Sequence, residues 1–245
     1  MPSEPEVKRE RNSGPRRPSR ERGIARYQLL IEATERLLQT ANPDEIGVYA
    51  IAEEAGVPPA SAYHFFPTKE TAYQALAEQY LDGLLRMHST PIEARKLRTW
   101  QDLVAVDMRR AMEFYNARPA MLKILYGGYG GVEARAIDIV STKRMADASH
   151  DRLNHIFVVP GVRDGRRAQI ALAILDAVWT ISVREHGLIT EDYYEEGLRA
   201  VNAYERLYLP EILEPRPLLS EAIASGGTVR LPYVQDGGHE EASAA

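Results

Sequence analysis

The segment from Ile51 to Glu70, IAEEAGVPPASAYHFFPTKE, constrains the fold more tightly than any other stretch of the chain. Ile51, Ala52 and Ala55 share one helical face, and Gly56 directly after them can take the left-handed conformation that a tight turn between helices requires. Small Ala52 and Ala55 let a second helix cross closely, and Val57 turns inward. Pro58 and Pro59 fit only a helix entrance, where a fixed φ is an advantage and a missing N–H is no loss. Ala62, Phe65 and Phe66 supply the buried face of that second helix, and Pro67 ends it after about two turns. Thr68 can cap a further helix through Leu76 and Leu81 toward Arg86. Upstream, Tyr27, Leu30, Ile31, Thr34 and Leu38 recur at helical spacing until Asn42-Pro43-Asp44 breaks the pattern. The expected result is a three-helix unit with a connecting helix, the pattern of a helix-turn-helix whose second helix would be presented to DNA.

The order and spacing of Ile51-Ala52, Ala55-Gly56-Val57, Tyr63, Phe66, Lys69 and Glu70 resemble the TetR/AcrR family of one-component bacterial regulators. The close resemblance covers roughly Arg20 to Arg86; beyond that only the family's general plan is matched, a variable helical domain that dimerises and often holds a small effector. The resemblance implies that Tyr63 and Lys69 meet DNA phosphates, and that Ser61 and His64 face the major groove; Ala60 and Ser61 could there meet a thymine methyl or a single acceptor. Each has a plainer reading: a core tyrosine, a solvated lysine at a helix start, a histidine packed beside two phenylalanines. Two departures matter. Many members carry Ser where Pro58 stands and Thr where Gly47 stands, so two phosphate donors are missing. The recognition helix also has no Arg, Lys, Asn or Gln, the side chains that best read base edges, and much of the specificity is expected from DNA shape.

The basic N-terminal segment is the expected replacement. Lys8, Arg9, Arg11, Arg16, Arg17, Arg20 and Arg22 lie among Pro, Ser and Gly without hydrophobic periodicity, and residues 1–19 read as a disordered arm able to follow phosphates or enter a minor groove. A solubilising tail is the alternative. Residues 20–86 are acidic on balance, so Arg20, Arg22 and the arm would carry much of the positive field.

Composition agrees with a regulator. Among 245 residues, 44% are hydrophobic and 27% charged, and the net charge of −5 requires any DNA binding to rest on a local patch. With no cysteine, disulfides, thiolate nucleophiles and cysteine-based zinc sites are excluded. No run is long and apolar enough to span a bilayer, and no secretory signal is evident, so a cytoplasmic location is expected.

From Trp100 onward the chain reads as helices at about Trp100–Asn116, Pro119–Leu125, Val132–Phe157, Arg163–His186 and Glu191–Leu209. The expected class is all-α: an N-terminal helix-turn-helix domain (20–86) and a C-terminal helical effector-binding and dimerisation domain (87–209), followed by a flexible tail (210–245). The penultimate helix is apolar around most of its circumference, from Ala168 and Ile170 through Ala177 to Ile181 and Val183, which one core cannot use. Tyr194, Leu198, Val201, Tyr204 and Tyr208 stripe the last. A homodimer through these two helices is expected, as the resemblance also implies.

Met108, Met112, Tyr115, Met121, Tyr126, Tyr129 and Trp179 form a candidate lining for a largely apolar or aromatic effector, with ordinary core packing as the alternative for each. The glycines from Gly127 to Gly131 lack the Gly-Lys-Ser/Thr ending of a phosphate loop and read as a connector. Asp147, Asp151 and His155 share one helical face and could present metal ligands, the basis of a rival reading as a helical metal-dependent enzyme, but interspersed Lys143, Arg144 and Arg152 favour solvated charge. No catalytic signature is present and no cofactor or metal is expected. A third possibility is an interaction module that kept the fold without operator binding.

Overall fold

The computed structural model describes residues 14–126, 131–160 and 165–232, with only the helical course of residues 131–141. Those residues form ten α-helices and one two-stranded ladder: α1 Glu21–Thr40, α2 Val48–Ala55, α3 Pro59–Phe65, α4 Lys69–His88, β1 Ile92–Glu93, α5 Trp100–Asn116, α6 Pro119–Tyr126, α7 Gly131–Ile156, α8 Arg166–His186, α9 Glu191–Glu205, α10 Pro217–Ser225 and β2 Thr228–Val229.

The reading head forms for local reasons. On α1, Leu30, Ile31, Ala33, Thr34 and Leu38 are buried, and the Thr34 hydroxyl is absorbed by the Leu30 carbonyl at 2.7 Å. Gly56 ends α2 at φ +63°, its N–H bonded to Ala52 and Glu53 carbonyls, while Val57 N–H returns to Ala52 O at 3.0 Å. Fully buried Ala33, Ala52 and Ala62 allow α1, α2 and α3 to approach, and Tyr27 meets Phe65 edge-on at 5.8 Å. Thr68 caps α4 through the Thr71 amide.

The helical body is tied to this head at two places. Tyr73 of α4 donates its hydroxyl to Pro43 O at 2.7 Å, and Tyr80 donates to Glu35 of α1 at 2.7 Å. Burial and the neighbouring Glu35 carboxylate both hold the Tyr80 phenol above its ordinary pKa, so it stays a donor. On α6, Lys123 Nζ donates to Leu38 O at 2.7 Å and Ala41 O at 3.2 Å, a side chain from the body satisfying the orphan carbonyls at the end of α1. Ala120, Met121 and Ile124 of the same helix are part of the head's own core.

The expected mobile tail from residue 210 requires correction as far as residue 232. Trp100 Nε1–H donates to Pro210 O at 2.9 Å, Arg216 Nε donates to Asn154 O at 2.6 Å, and β2 pairs antiparallel with β1, Ile92 opposite Val229. Leu213, Leu219, Val229 and Leu231 are buried against Trp100, Leu103 and Phe157. The segment orders because its few apolar residues recur where α5 and α7 leave an uncovered face, which composition alone does not reveal. It contains the helix α10 and the strand β2. Residues 233–245 and 127–130 lie outside the described residues.

Two boundaries also move. The penultimate helix is described from Arg166, and α9 stops at Glu205 rather than Leu209.

Candidate nucleic-acid interface and effector cavity

On α3 the inner face, Ala62 and Phe65, is buried, which leaves Ala60, Tyr63 and His64 exposed and Ser61 half-buried. Tyr63 is 49% exposed, so it is not the core tyrosine of the plainer reading. His64 rests its ring edge-on against Phe65 at 5.3 Å, a contact that orients it without burying it. The ammonium of Lys69, expected at a phosphate, donates to the carbonyls of Pro43 and Asp44, each at 3.1 Å, and lies 3.7 Å from the Asp44 carboxylate. In this state Lys69 pins the start of α4 to the turn before α2.

Arg20 and Arg22 flank the start of α1 and are exposed. Positive side chains at a helix N-terminus oppose its dipole, so these arginines are poorly placed for stability and well placed beside a third party's anions. The arm reading is corrected for residues 14–19. Arg16 N–H donates to Phe65 O at 3.0 Å, at the end of α3, and Arg17 Nη2 donates to Glu78 of α4 at 2.6 Å. Pro18 lies so close to α1 that a Cβ on Gly23 would come within 2.9 Å of it. A carbonyl left open at the end of α3 and a carboxylate on α4 hold this segment, two partners distant in sequence and invisible in its composition. Lys8, Arg9 and Arg11 lie outside the described residues. Tyr49, 61% exposed on α2, is a candidate that the sequence reading missed; an outward aromatic one residue into a helix was the available signal.

Between α4, α5, α6, α7 and α8 lies a cavity of about 180 Å³. Met108, Tyr115, Met121, Tyr126 and Trp179, five of the seven expected lining residues, do line it. Met112 is buried in the adjoining core but is not part of the lining, and Tyr129 is outside the described residues. Tyr115 stands edge-on to both Tyr126, at 6.0 Å, and Trp179, at 5.7 Å, forming an aromatic wall. Tyr126 donates its hydroxyl to Asp176 at 3.2 Å. Sequence reading missed the wall formed by Leu81, Leu84 and His88 of α4. These alternate with head-facing positions on a helix that serves two cores at once.

One buried charge cluster borders this cavity. Arg152 of α7 clamps the Asp107 carboxylate of α5 with two nitrogens and bonds the His88 carbonyl at the end of α4, while His88 Nδ1 stands 3.3 Å from Asp107. Desolvation would raise the Asp107 pKa, but the charge of Arg152, with His88 beside it, outweighs burial and holds it below the ordinary carboxylate value. The three helices are thereby locked at one point.

Among the described residues no group of three or more His, Asp or Glu could hold a metal ion. Asp147 is paired with Lys143 at 2.5 Å, and Asp151 and His155 are exposed, as solvated charge would be. No helix among the described residues is long and apolar enough to cross a membrane.

An exposed helix-turn-helix on a cavity-bearing helical body defines the class of DNA-binding transcriptional regulators. Residues 30–76 match the model of "Bacterial regulatory proteins, tetR family". The fold is shared with a TetR transcriptional regulator from Rhodococcus sp. RHA1, at TM-score 0.54 and 21% identity over 76% of this chain and 98% of that one. It is shared also with a tetR-family regulator from Streptomyces coelicolor, at TM-score 0.54 and 19% identity over 75% of this chain and 80% of that one. NalD, the secondary repressor of the MexAB-OprM multidrug efflux pump in Pseudomonas aeruginosa, aligns at TM-score 0.51 and 16% identity over 78% of this chain and all of its own length. No curated protein matches the chain. Residues 30–76 are therefore similar to the tetR-family regulatory domain, and the fold around them is one that solved TetR-family regulators share.

Proposed function

We propose that this protein is a cytoplasmic repressor that leaves its operator when a small, largely apolar or aromatic molecule enters the cavity among α4, α5, α6, α7 and α8. The observation that carries this reading is the shared wall: Met121 belongs to the head's core and lines the cavity, and α4 lines the cavity with Leu81 and Leu84 while it binds the head through Tyr73 and Tyr80. A molecule that fits the cavity better when α4 or α6 shifts would move the heads and lower operator affinity. A named repressor of the same fold, NalD, supports this direction of control.

Operator contact is assigned to Ala60, Ser61, Tyr63 and His64 on α3, with Arg20, Arg22 and Lys69 at phosphates, where Lys69 must first exchange its carbonyl partners. A homodimer through α8 and α9 supplies two heads. Ile170, Ala173, Ala177 and Ile181 form an exposed apolar stripe on α8, opposite the buried stripe of Ala168, Ala171, Leu175 and Trp179, and Leu207 and Tyr208, just after α9, are exposed as well. A helix with two apolar faces needs a second partner.

The test is selection of bound fragments from random and genomic DNA, repeated with the Tyr63→Ala/Lys69→Ala protein and across a salt series. A two-fold motif that both the variant and high salt erase is the expected result. Absence of enrichment at low salt from folded protein would overturn operator binding and favour an interaction module.

A further inference from the structure

A second cavity, of about 90 Å³, lies between α5, α7, α8 and α9 and shares Asp107, Met108, Ser149, Leu172 and Leu175 with the first. Its walls are otherwise mainly apolar, and they include one unusual group. The Arg167 side chain is only 4% exposed; one of its nitrogens, Nη1, pairs with Glu205 of α9, and its Nε has no hydrogen-bond partner among the described residues. Desolvation draws the Arg167 pKa below the ordinary guanidinium value, as befits a charge short of partners. A buried donor without an acceptor is destabilising, and a cavity beside it offers the place where an acceptor can come from.

Of the other polar groups around the space, Glu205 Oε2 faces Arg167 as its ion-pair partner but has no hydrogen-bond partner among the described residues, while Asp107 and Trp100 are already committed. The Asp107 carboxylate is clamped by Arg152, and the Trp100 indole N–H donates to Pro210 O. Charge in the chamber is balanced, Arg167 against Glu205 and Asp107 against Arg152. A ligand carboxylate would add an uncompensated buried negative charge, whereas a neutral oxygen would satisfy Arg167 Nε without one. Met108 and Leu175 stand on both cavities, and the unbranched thioether of Met108 can move aside at small cost.

We propose that this cavity is the polar end of the effector site, and that the effector is an uncharged, mainly aliphatic or aryl-aliphatic molecule whose carbonyl oxygen accepts a hydrogen bond from Arg167 while its apolar body passes Met108 toward Trp179. The proposal rests on the effector reading above and adds the chemical class and the residue that selects it.

Calorimetric titration of the full chain tests it with three probes: 2-octanone, octanoate of the same chain length, and propylbenzene, which has no acceptor. The wild type is expected to bind 2-octanone more tightly than octanoate. Arg167→Met/Glu205→Leu, which removes both charges together, is expected to lose tenfold or more for the ketone and to hold propylbenzene within about twofold. Arg167→Lys, which keeps the charge opposite Glu205 and removes Nε, is expected to lose the ketone alike, so the proposal stays testable if the double variant does not fold. Tryptophan fluorescence locates the probe: the Trp179→Phe protein, left with Trp100 on the smaller cavity, should still respond to the ketone. Unchanged ketone affinity in both variants, preference for octanoate, or no saturable ketone binding would each overturn the proposal. Release of a labelled operator fragment, read by anisotropy, belongs to the effector reading; ketone binding governed by Arg167 with an undisturbed operator complex would sink that reading and leave the site standing.

Discussion

The reading head and the helical body are both all-α, yet they are built on opposite terms. The head joins α1, α2 and α3 through alanines and phenylalanines, and its polar side chains cap helices, as Thr68 does, or pin turns and neighbouring helices at its surface, as Lys69 and Arg17 do. The body surrounds two cavities and buries two ion pairs, Arg152 with Asp107 and Arg167 with Glu205. A close-packed head has one arrangement, as a reader of fixed DNA geometry requires. A body with voids and buried charges holds alternatives at small energetic distance, which suits a ligand-responsive unit.

The strongest way to break this comparison is Arg152→Met. It leaves the Asp107 carboxylate buried beside His88 alone, and a loss of about 3–5 kcal/mol is expected from denaturant unfolding. The effect should depend on acid. Because the folded Asp107 pKa is lowered, its contribution is fully present above the ordinary carboxylate value near 4 and is lost as pH falls through the lowered pKa. The variant should therefore lose most near neutrality and approach the wild type in acid; a loss independent of pH would assign the cost to packing instead.

Gly197→Ala comes next. A Cβ there would lie 2.8 Å from Leu175 Cδ1 and 3.4 Å from Met108 Cε, so it must push α9 from α8 or fill the adjoining space, at about 1–3 kcal/mol. An unchanged melt would mean that the body relaxes more freely than its packing indicates. In the head, Gly56→Ala meets no atom within 4 Å and is resisted only by the +63° φ, so about 1–2 kcal/mol is expected. A larger loss would show that the turn carries more than its backbone conformation. Smallest in stability is Tyr63→Ala, expected within about 0.5 kcal/mol because the side chain is exposed. Its operator affinity should nonetheless fall about tenfold, as for the loss of one charge-assisted contact; a fall in melting temperature of matching size would assign Tyr63 to the fold.

The two regions also differ in how legible they were. Gly56 after an apolar run, Pro58-Pro59 before another and Thr68 at a helix start are chain neighbours of the geometry they specify, and the structure has the turn, α3 and the cap at those positions. Five of the seven expected residues do line the cavity, because flexible and aromatic side chains on consecutive helices converge when those helices pack. The rest depended on distant partners. Arg17 reaches Glu78, Lys123 reaches Leu38 O, Arg152 reaches Asp107 and Arg167 reaches Glu205, and no local pattern marks one arginine as buried and another as solvated.

The sequence by itself therefore determined the class of fold, the reading head and the order of the helices, since propensity, capping and turn chemistry act over a few residues. Only the tertiary structure decided that Lys69 holds a turn, that residues 14–19 and 210–232 are packed, and that two cavities share Met108 in their walls, with a buried guanidinium beside one of them. Those outcomes turn on which side chain fills, or fails to fill, the space left when helices far apart in sequence come together. Burial and pairing are properties of that space and not of the residue alone.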